Sequence, residues 1–248
     1  MGIQTASQAF TNEGGGGFSF RNKIINGDMR IDQRSSGTIT ATNTWMVDRF
    51  YQSHNIDGAQ SFQQSSDAPS GFVNSILYTT TTADASLSAT QYSMLRYKVE
   101  GYTATDFAWG TSAAKTATLS FWVKSSVAGT FGGTIISAGN DRVYPYTYTI
   151  NAVNTWEKKI VVIPGDTTGT YGTTNGIGFE IKWSFGAGST YTASATGAWQ
   201  AGFAIHATGA TQLINTLNAT WQITGVQLEI GNQATEFERR PFGLELHL

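Results

Sequence analysis

Apolar and polar residues alternate along most of the chain after Phe18, which is the pattern expected of half-buried β-strands. The stretch Leu95–Glu100 puts apolar residues on one parity and charged residues on the other, and Phe179–Phe185 repeats this arrangement with polar partners. Only Tyr102–Trp109 is compatible with a short helix. The same pattern predicts further strands near residues 22–32, 47–52, 72–80, 116–125, 131–137, 143–150, 156–163, 199–205 and 221–230.

The predicted closing strand, 221–230, changes parity in its middle. Trp221 and Ile223 share one parity, whereas the apolar residues after Gly225 share the opposite one, namely Val226, Leu228 and Ile230. One extra residue at Gly225 would return all of these side chains to the same face, which is the effect of a β-bulge. We therefore predict a long strand that crosses a sheet and bends once at Gly225.

Turn residues separate the predicted strands, as in Ala128-Gly129, Gly139-Asn140 and Pro164-Gly165-Asp166. About ten or more strands, with no internal repeat and no linker, predict an all-β fold, namely a single antiparallel β-sandwich of jelly-roll type. We assign residues 18–248 to this domain. Its first strand, 22–32, should lie close to its closing strand, and the Gly/Thr-rich stretch 165–176 is predicted to be a rim loop.

The segment that precedes this domain, residues 1–17, is polar and ends in four glycines, Gly14, Gly15, Gly16 and Gly17. Consecutive glycines hold a fixed backbone only at a high entropic cost, so they predict a flexible N-terminal tail. One interpretation of residues 1–17 is a disordered tail without a binding role. The interpretation that we favour is an attachment segment that connects the folded domain to another protein.

The composition of the chain mainly argues against certain classes of function. Charged residues are 13% of the chain, about half the usual share, so the polar surface must come largely from Thr, Ser, Asn and Gln. The net charge of −2 and the lack of a basic stretch argue against nucleic-acid binding. There is no cysteine, no apolar run of about 20 residues and no signal-peptide pattern near Met1. We expect a protein folded in a cytosol, without membrane insertion.

Candidate chemistry is sparse. The 3 histidines, His54, His206 and His247, lack a metal-ligand spacing, and strand parity predicts a solvated His206. Asn26-Gly27-Asp28 could supply oxygen ligands to Ca²⁺, but we interpret it as a turn or a strand-edge Asn-Gly because no ligand loop accompanies it. Catalytic signatures for nucleophiles, phosphates or zinc are missing. The sequence therefore predicts a protein that is not an enzyme and that has no cofactor and no metal site.

Four aromatic residues are the candidate binding residues. Trp122 falls on the polar parity of the predicted strand 116–125, beside Ser120 and Lys124. Tyr144, Tyr146 and Tyr148 share one face of the predicted strand 143–150. Aromatic faces could stack on sugar rings, because they join an apolar platform to hydrogen-bonding tips. The alternative, which we rank first, is that a loop or another subunit covers these aromatics and that they are packing residues.

Several segments together resemble a family of tailed-phage virion proteins, many of them tail fibre or receptor-binding proteins, including those of cyanophages and other marine phages. The resemblance covers nearly everything after Phe18. It rests on 22–29 (NKIINGDM), 32–34 (DQR), 45–49 (WMVDR), 116–126 (TATLSFWVKSS), 144–150 (YPYTYTI), 154–169 (NTWEKKIVVIPGDTTG) and 223–241 (ITGVQLEIGNQATEFERRP). The start and end of the pattern also look like galactose-binding-type jelly rolls and carbohydrate-binding modules.

This resemblance implies a phage virion structural protein that displays a jelly roll at the particle surface, as a tail fibre or receptor-binding component that contacts host surface glycans. It implies attachment to other virion proteins through the N-terminal segment, a homo-oligomer such as a trimer, and assembly into virions in the host cytoplasm. One alternative is a capsid decoration or head-fibre protein. An alternative of another class is the carbohydrate-binding module of a cellular glycan-active protein.

Overall fold

The computed structural model of the protein describes residues 20–35 and 37–248. The predicted attachment segment, residues 1–17 with its four glycines, lies outside the described residues. Within them, two antiparallel sheets of seven and five strands pack face to face, so the predicted β-sandwich of jelly-roll type is confirmed. No helix in this part of the chain is both long and apolar enough to cross a membrane.

The strands divide between the two sheets as follows. The seven-stranded sheet has the spatial order β1 (Thr44–Trp45), β2 (Phe50–Asn55), β5 (Tyr92–Glu100), β10 (Ile177–Ala187), β7 (Gly129–Ser137), β8 (Arg142–Ile150) and β11 (Gln200–Ala201). The five-stranded sheet has the order β3 (Ala59–Ser65), β4 (Ser75–Thr82), β12 (Thr220–Ile230), β6 (Ala117–Ser125) and β9 (Glu157–Ile163).

Short helical elements complete the fold. Helix α1 (Gly101–Ala104) continues into a 3₁₀ turn at Thr105–Phe107, where the sequence predicts a short helix. Helix α2 (Phe242–His247) lies near the end of the chain, and two further 3₁₀ turns occupy Ser189–Tyr191 and Leu213–Asn215. The predicted rim loop 165–176 contains no strand or helix, as expected.

Large aromatic side chains fill the space between the sheets. Trp183 on β10 and Trp221 on β12 are completely buried and face each other's sheet. Tyr78 and Phe185 stack with their ring centroids 4.0 Å apart across the sandwich. Removing a side chain of this size from water stabilises the fold by about 1.5–3 kcal/mol. The inward parity of the strands, as predicted from the alternation, therefore supplies the core.

Two of the predicted strands differ from the structure. Residues 22–32 form a looped segment instead of a strand, because Asn26 and Met29 adopt left-handed φ angles of 58° and 59°. The predicted strand 199–205 is reduced to β11. Strand β3 was not predicted, because Phe62 is its one large apolar residue among glutamines and serines.

The looped segment 22–32 nevertheless lies beside the closing strand, as predicted. The Lys23 amide donates to the Leu228 carbonyl at 2.8 Å, and the Val226 amide donates to the Gly27 carbonyl at 2.8 Å. The Asn26 carboxamide makes two hydrogen bonds to the backbone of Ile31. The Asn26-Gly27-Asp28 stretch is therefore part of a turn. The two ends of the domain are therefore joined by hydrogen bonds, although one partner is not a strand.

The predicted β-bulge lies in β12 at Gly225. The register of β12 against β6 shifts between Thr224 and Gln227, and Gly225 has a left-handed φ of 61°. Val226 and Leu228 thereby return to the core face that Trp221 and Ile223 also occupy, whereas Ile230 remains 37% exposed. A Cβ atom at Gly225 would lie 2.7 Å from the Phe72 ring, so both the backbone and the packing require glycine.

We predict that Gly225→Ala lowers the free energy of unfolding by about 1–3 kcal/mol, because the left-handed backbone is strained for alanine and the Phe72 ring must move. Chemical denaturation measures this change. Gly176→Ala is the matched control, since a Cβ there meets nothing within 4 Å. Equal effects of the two substitutions would contradict this role of Gly225.

Candidate functional site

The structure places the three predicted tyrosines inside the sandwich. Tyr144, Tyr146 and Tyr148 are buried on the inward face of β8. The Tyr146 hydroxyl donates to the Lys182 carbonyl at 2.8 Å, and the Tyr148 hydroxyl accepts the Trp221 indole N–H at 3.1 Å. Burial raises the pKa of all three phenols. Their rings have no open face for a sugar and serve as packing residues.

Trp122 occupies a different position, on the outer face of the five-stranded sheet. It is half-buried beside the Gly225 bulge, in a depression of about 320 Å³ that Phe72, Phe237 and Arg239 also line. The Arg239 guanidinium lies 4.6 Å from the Phe72 ring centroid and 5.4 Å from that of Phe237. The structure therefore places Trp122 and the tyrosines on opposite sides of the five-stranded sheet, since Tyr148 contacts the core-facing Phe121 next to Trp122.

A groove on the outer face of the seven-stranded sheet combines more of the features of a binding site. Its floor is the polar parity of β5 and β10, where Arg96 lies opposite Lys182 and Lys98 lies opposite Glu180 in the strand register. The groove has a volume of about 330 Å³, which is within the range of ligand pockets. We call it the sheet groove. Its lining comprises Asn43, Ser53, Tyr92, Met94, Arg96, Asn140, Glu180, Lys182, Tyr191, Phe203 and Ile205.

One wall of the sheet groove is the covering segment, residues 188–207, which lies across the outer face of β7 and β8. Ile136 and Val143 on the sheet form a small apolar cluster with Ala193 and Ala204 of the segment. The Thr134 hydroxyl donates to the Ala204 carbonyl at 3.0 Å. The sheet groove lies beside this segment, over residues of β2, β5 and β10.

His206 anchors this segment, and the prediction of a solvated histidine is wrong. Its ring is buried, with Nδ1 2.9 Å from the Ser184 hydroxyl and Nε2 3.2 Å from the Ala210 carbonyl. Burial lowers the pKa of His206, which favours the neutral ring. The parity argument fails here because residues 202–206 run over the sheet as an irregular chain rather than as a strand.

Aromatic rings border both sides of the floor. Tyr92, Tyr191 and Phe203 form a row of edge-to-face contacts, with centroid distances of 5.4 Å and 5.8 Å. On the other side, Trp45 and Tyr51 form a second edge-to-face pair at 5.1 Å. Such rows present rigid apolar surface next to polar groups, which suits a ligand that has both C–H faces and hydroxyl groups.

The charged floor is held together by one carboxylate. Glu180 lies 3.3 Å from the Arg96 guanidinium and, through its other oxygen, 3.3 Å from the Lys182 ammonium. Lys182 is only 1% exposed, and its ammonium lies 4.3 Å from the Phe203 ring centroid. Burial lowers the pKa of Lys182 to about 8 against the opposing effect of Glu180. The Arg96 guanidinium stacks on Tyr51 at 4.5 Å, and its Nε has no hydrogen-bond partner.

These groups can bind a polar ligand and orient it. Glu180 is the only carboxylate among the described residues that line the sheet groove. Throughout residues 20–35 and 37–248, no group of three or more His, Asp or Glu side chains is placed to hold a metal ion. The sequence contained a signal for this site, because charged residues cluster on the polar parity of two long strands in a chain with 13% charged residues. It gave no indication that these strands are neighbours.

Comparisons with known proteins show similarity in fold. No family model and no curated protein matches the chain. Among solved structures, the enzymatically active domain of tailspike protein 4 of bacteriophage CBA120 matches with a TM-score of 0.50 and 10% identity, over 86% of this chain and 22% of that chain. The chain therefore spans less than a quarter of that protein's length.

Two sugar-related structures show weaker similarity. A putative sugar binding protein from Bacteroides thetaiotaomicron matches with a TM-score of 0.49 and 10% identity, over 85% of this chain and 100% of that chain. A family 11 carbohydrate-binding module from Clostridium thermocellum, in complex with a mixed-linked tetrasaccharide, matches with a TM-score of 0.40 and 15% identity, over 82% and 100%. At these identities, likeness to solved structures establishes the β-sandwich alone.

We predict that the buried Lys182 makes stability increase with pH in the alkaline range. Its pKa is about 8 in the fold and 10.5 ordinarily, so between these values the unfolded chain binds more protons than the folded one. The free energy of unfolding should then rise as pH increases from 8, because the cost of burying the charge is removed. Chemical denaturation at a series of pH values measures the slope.

Lys182→Met should abolish this slope, whereas the control Lys98→Met, on the same floor, should retain it. An unchanged slope in Lys182→Met would show that other groups cause the pH dependence.

Proposed function

We propose that the chain is a glycan-binding jelly-roll domain of a tailed-phage virion protein, and that it contacts host surface glycans through the sheet groove. The observation that carries the proposal is the row of aromatic rings beside a charged, hydrogen-bonding floor. Tyr92, Tyr191 and Phe203 offer ring faces and edges, and Arg96 and Glu180 offer polar atoms within the same groove. Sugars require both kinds of surface.

The groove is preferred to the Trp122 depression as the glycan site. Trp122, Phe72 and Phe237 pack against the Gly225 bulge and a stacked arginine, so much of their aromatic surface is already covered. In the sheet groove, by contrast, Phe203 is 39% exposed at the rim. The floor of the groove also lies on the paired strands β5 and β10, and this pairing pre-organises it.

Binding without catalysis is part of the proposal. Hydrolysis of a glycosidic bond commonly uses two carboxyl groups about 5–9.5 Å apart. Glu180 has no such partner among the described lining residues, and both of its oxygens are engaged by cations. These features support a role in recognition.

The virion context rests on the sequence resemblance to phage tail fibre and receptor-binding proteins. A phage tailspike domain with a similar fold is consistent with it. Within the proposal, residues 1–17 attach the domain to other virion proteins, and the assembled form is a homo-oligomer such as a trimer. A tail position is preferred, with capsid decoration as the alternative.

We predict that Tyr191→Ala and Phe203→Ala each weaken binding to the glycan selected on an array by on the order of tenfold, because each removes an aromatic contact. Isothermal titration calorimetry measures the loss. Tyr102→Ala is the matched control, since Tyr102 is 66% exposed and lies outside the groove. Unaltered affinity in both groove variants, or no binding to any glycan, would contradict the proposal.

The virion assignment predicts that antibodies against the domain label the tail of the intact particle. Immunogold electron microscopy distinguishes the positions, because label on capsid facets would favour the decoration alternative. Particles without label at either position would contradict the assignment to a virion.

A further inference from the structure

We propose that the ligand of the sheet groove is an acidic glycan, and that a carboxylate of that glycan binds beside Arg96. This inference rests on the proposed function and specifies its substrate class. It follows from the charge balance of the cluster formed by Arg96, Glu180 and Lys182, which has two cations and one carboxylate.

Glu180 divides its carboxylate between two partners. One oxygen lies 3.3 Å from Arg96 and the other 3.3 Å from Lys182. Each cation is therefore only partly neutralised, and the three groups together carry one net positive charge. Lys98, opposite Glu180 in the register, adds a further cation at the edge of the floor.

Nearby carboxylates do not cancel this charge, because they lie outside the groove lining or are paired with another cation. Asp141 does not line the groove, and its carboxylate is bonded to Ser137 and to Thr170, at 2.6 Å and 2.8 Å. Glu100, which follows Lys98 on β5 by two positions, is paired with Arg49 at 2.7 Å. The cationic character of the floor thus persists in the folded domain.

Burial makes the charge effective. Lys182 is 1% exposed and lies beneath Phe203, so water does not screen it as it would screen a surface lysine. Arg96 is the more accessible of the two cations, with a side-chain exposure of 21%. The exposed part of its guanidinium provides N–H donors for an incoming carboxylate. Because Glu180 also pairs with Lys182, it neutralises the charge of Arg96 only in part. In this proposal, Arg96 is the cation that contacts the carboxylate of the ligand.

The test is a panel of hexuronate-containing oligosaccharides, each paired with its methyl ester, which keeps the ring and removes the negative charge. Binding of the full chain is measured by calorimetry near neutral pH. We expect at least one acid to bind more tightly than its ester by on the order of tenfold, since one partly buried unit charge has an effect of this size. The preference should decrease as salt is raised.

Charge arithmetic provides matched variants. Within the cluster of Arg96, Glu180 and Lys182, Lys182→Met and Arg96→Gln each leave one cation with one carboxylate. Both should therefore lose most of the preference for the acid while the ester still binds. Arg96→Lys should retain the preference. The double variant Lys182→Met with Glu180→Gln restores one net positive charge and should recover it, which a merely structural defect at these positions would not produce.

The outcomes separate the two proposals. Esters that bind as tightly as their acids, or a double variant that fails to recover the preference although it is folded by circular dichroism, would overturn this inference and leave glycan binding intact. Neutral glycans that bind while every hexuronate fails would also overturn it. Failure of all glycans to bind would overturn the proposed function as well.

Discussion

The buried charge of Lys182 is the constraint on which the outer face of the seven-stranded sheet depends. An ammonium that is 1% exposed remains charged near neutral pH only because Glu180 lies beside it. Glu180 in turn holds Arg96, which stacks on Tyr51. Replacing one member of such a cluster changes the protonation or position of the others. The cluster is therefore better suited to fixing the chemistry of the sheet groove than to stabilising the fold.

The rest of the fold holds this cluster in position. Trp183, on the opposite parity of β10 from Lys182, is completely buried in the core, so the strand cannot slip without exposing it. The Tyr146 hydroxyl bonds to the Lys182 carbonyl from the core side. On the other side, the covering segment is anchored through His206 and carries Phe203 to its place above the lysine. The groove thus combines a rigid floor with an irregular wall.

Sequence reasoning succeeded where a local pattern has one structural solution. Alternation located most of the strands, and the parity change at Gly225 located the bulge, because only an added residue restores a common buried face. It failed where contacts between residues distant in sequence determine the local conformation or the strand pairing. Residues 22–32 alternate like a strand, yet the Asn26 carboxamide replaces the ladder with a turn. The tyrosines of β8 were correctly placed on one face, but sequence alone could not say that this face is the core. Neighbouring strands β5 and β10 are about 80 residues apart, so their joint floor was not foreseeable.

The most direct test of this account is the position of a bound oligosaccharide in a crystal structure of the complex. The account predicts density along the sheet groove, with a sugar ring against Tyr191 or Phe203 and a polar substituent within hydrogen-bond distance of Arg96. Density in the depression beside Trp122, with the sheet groove empty, would contradict it.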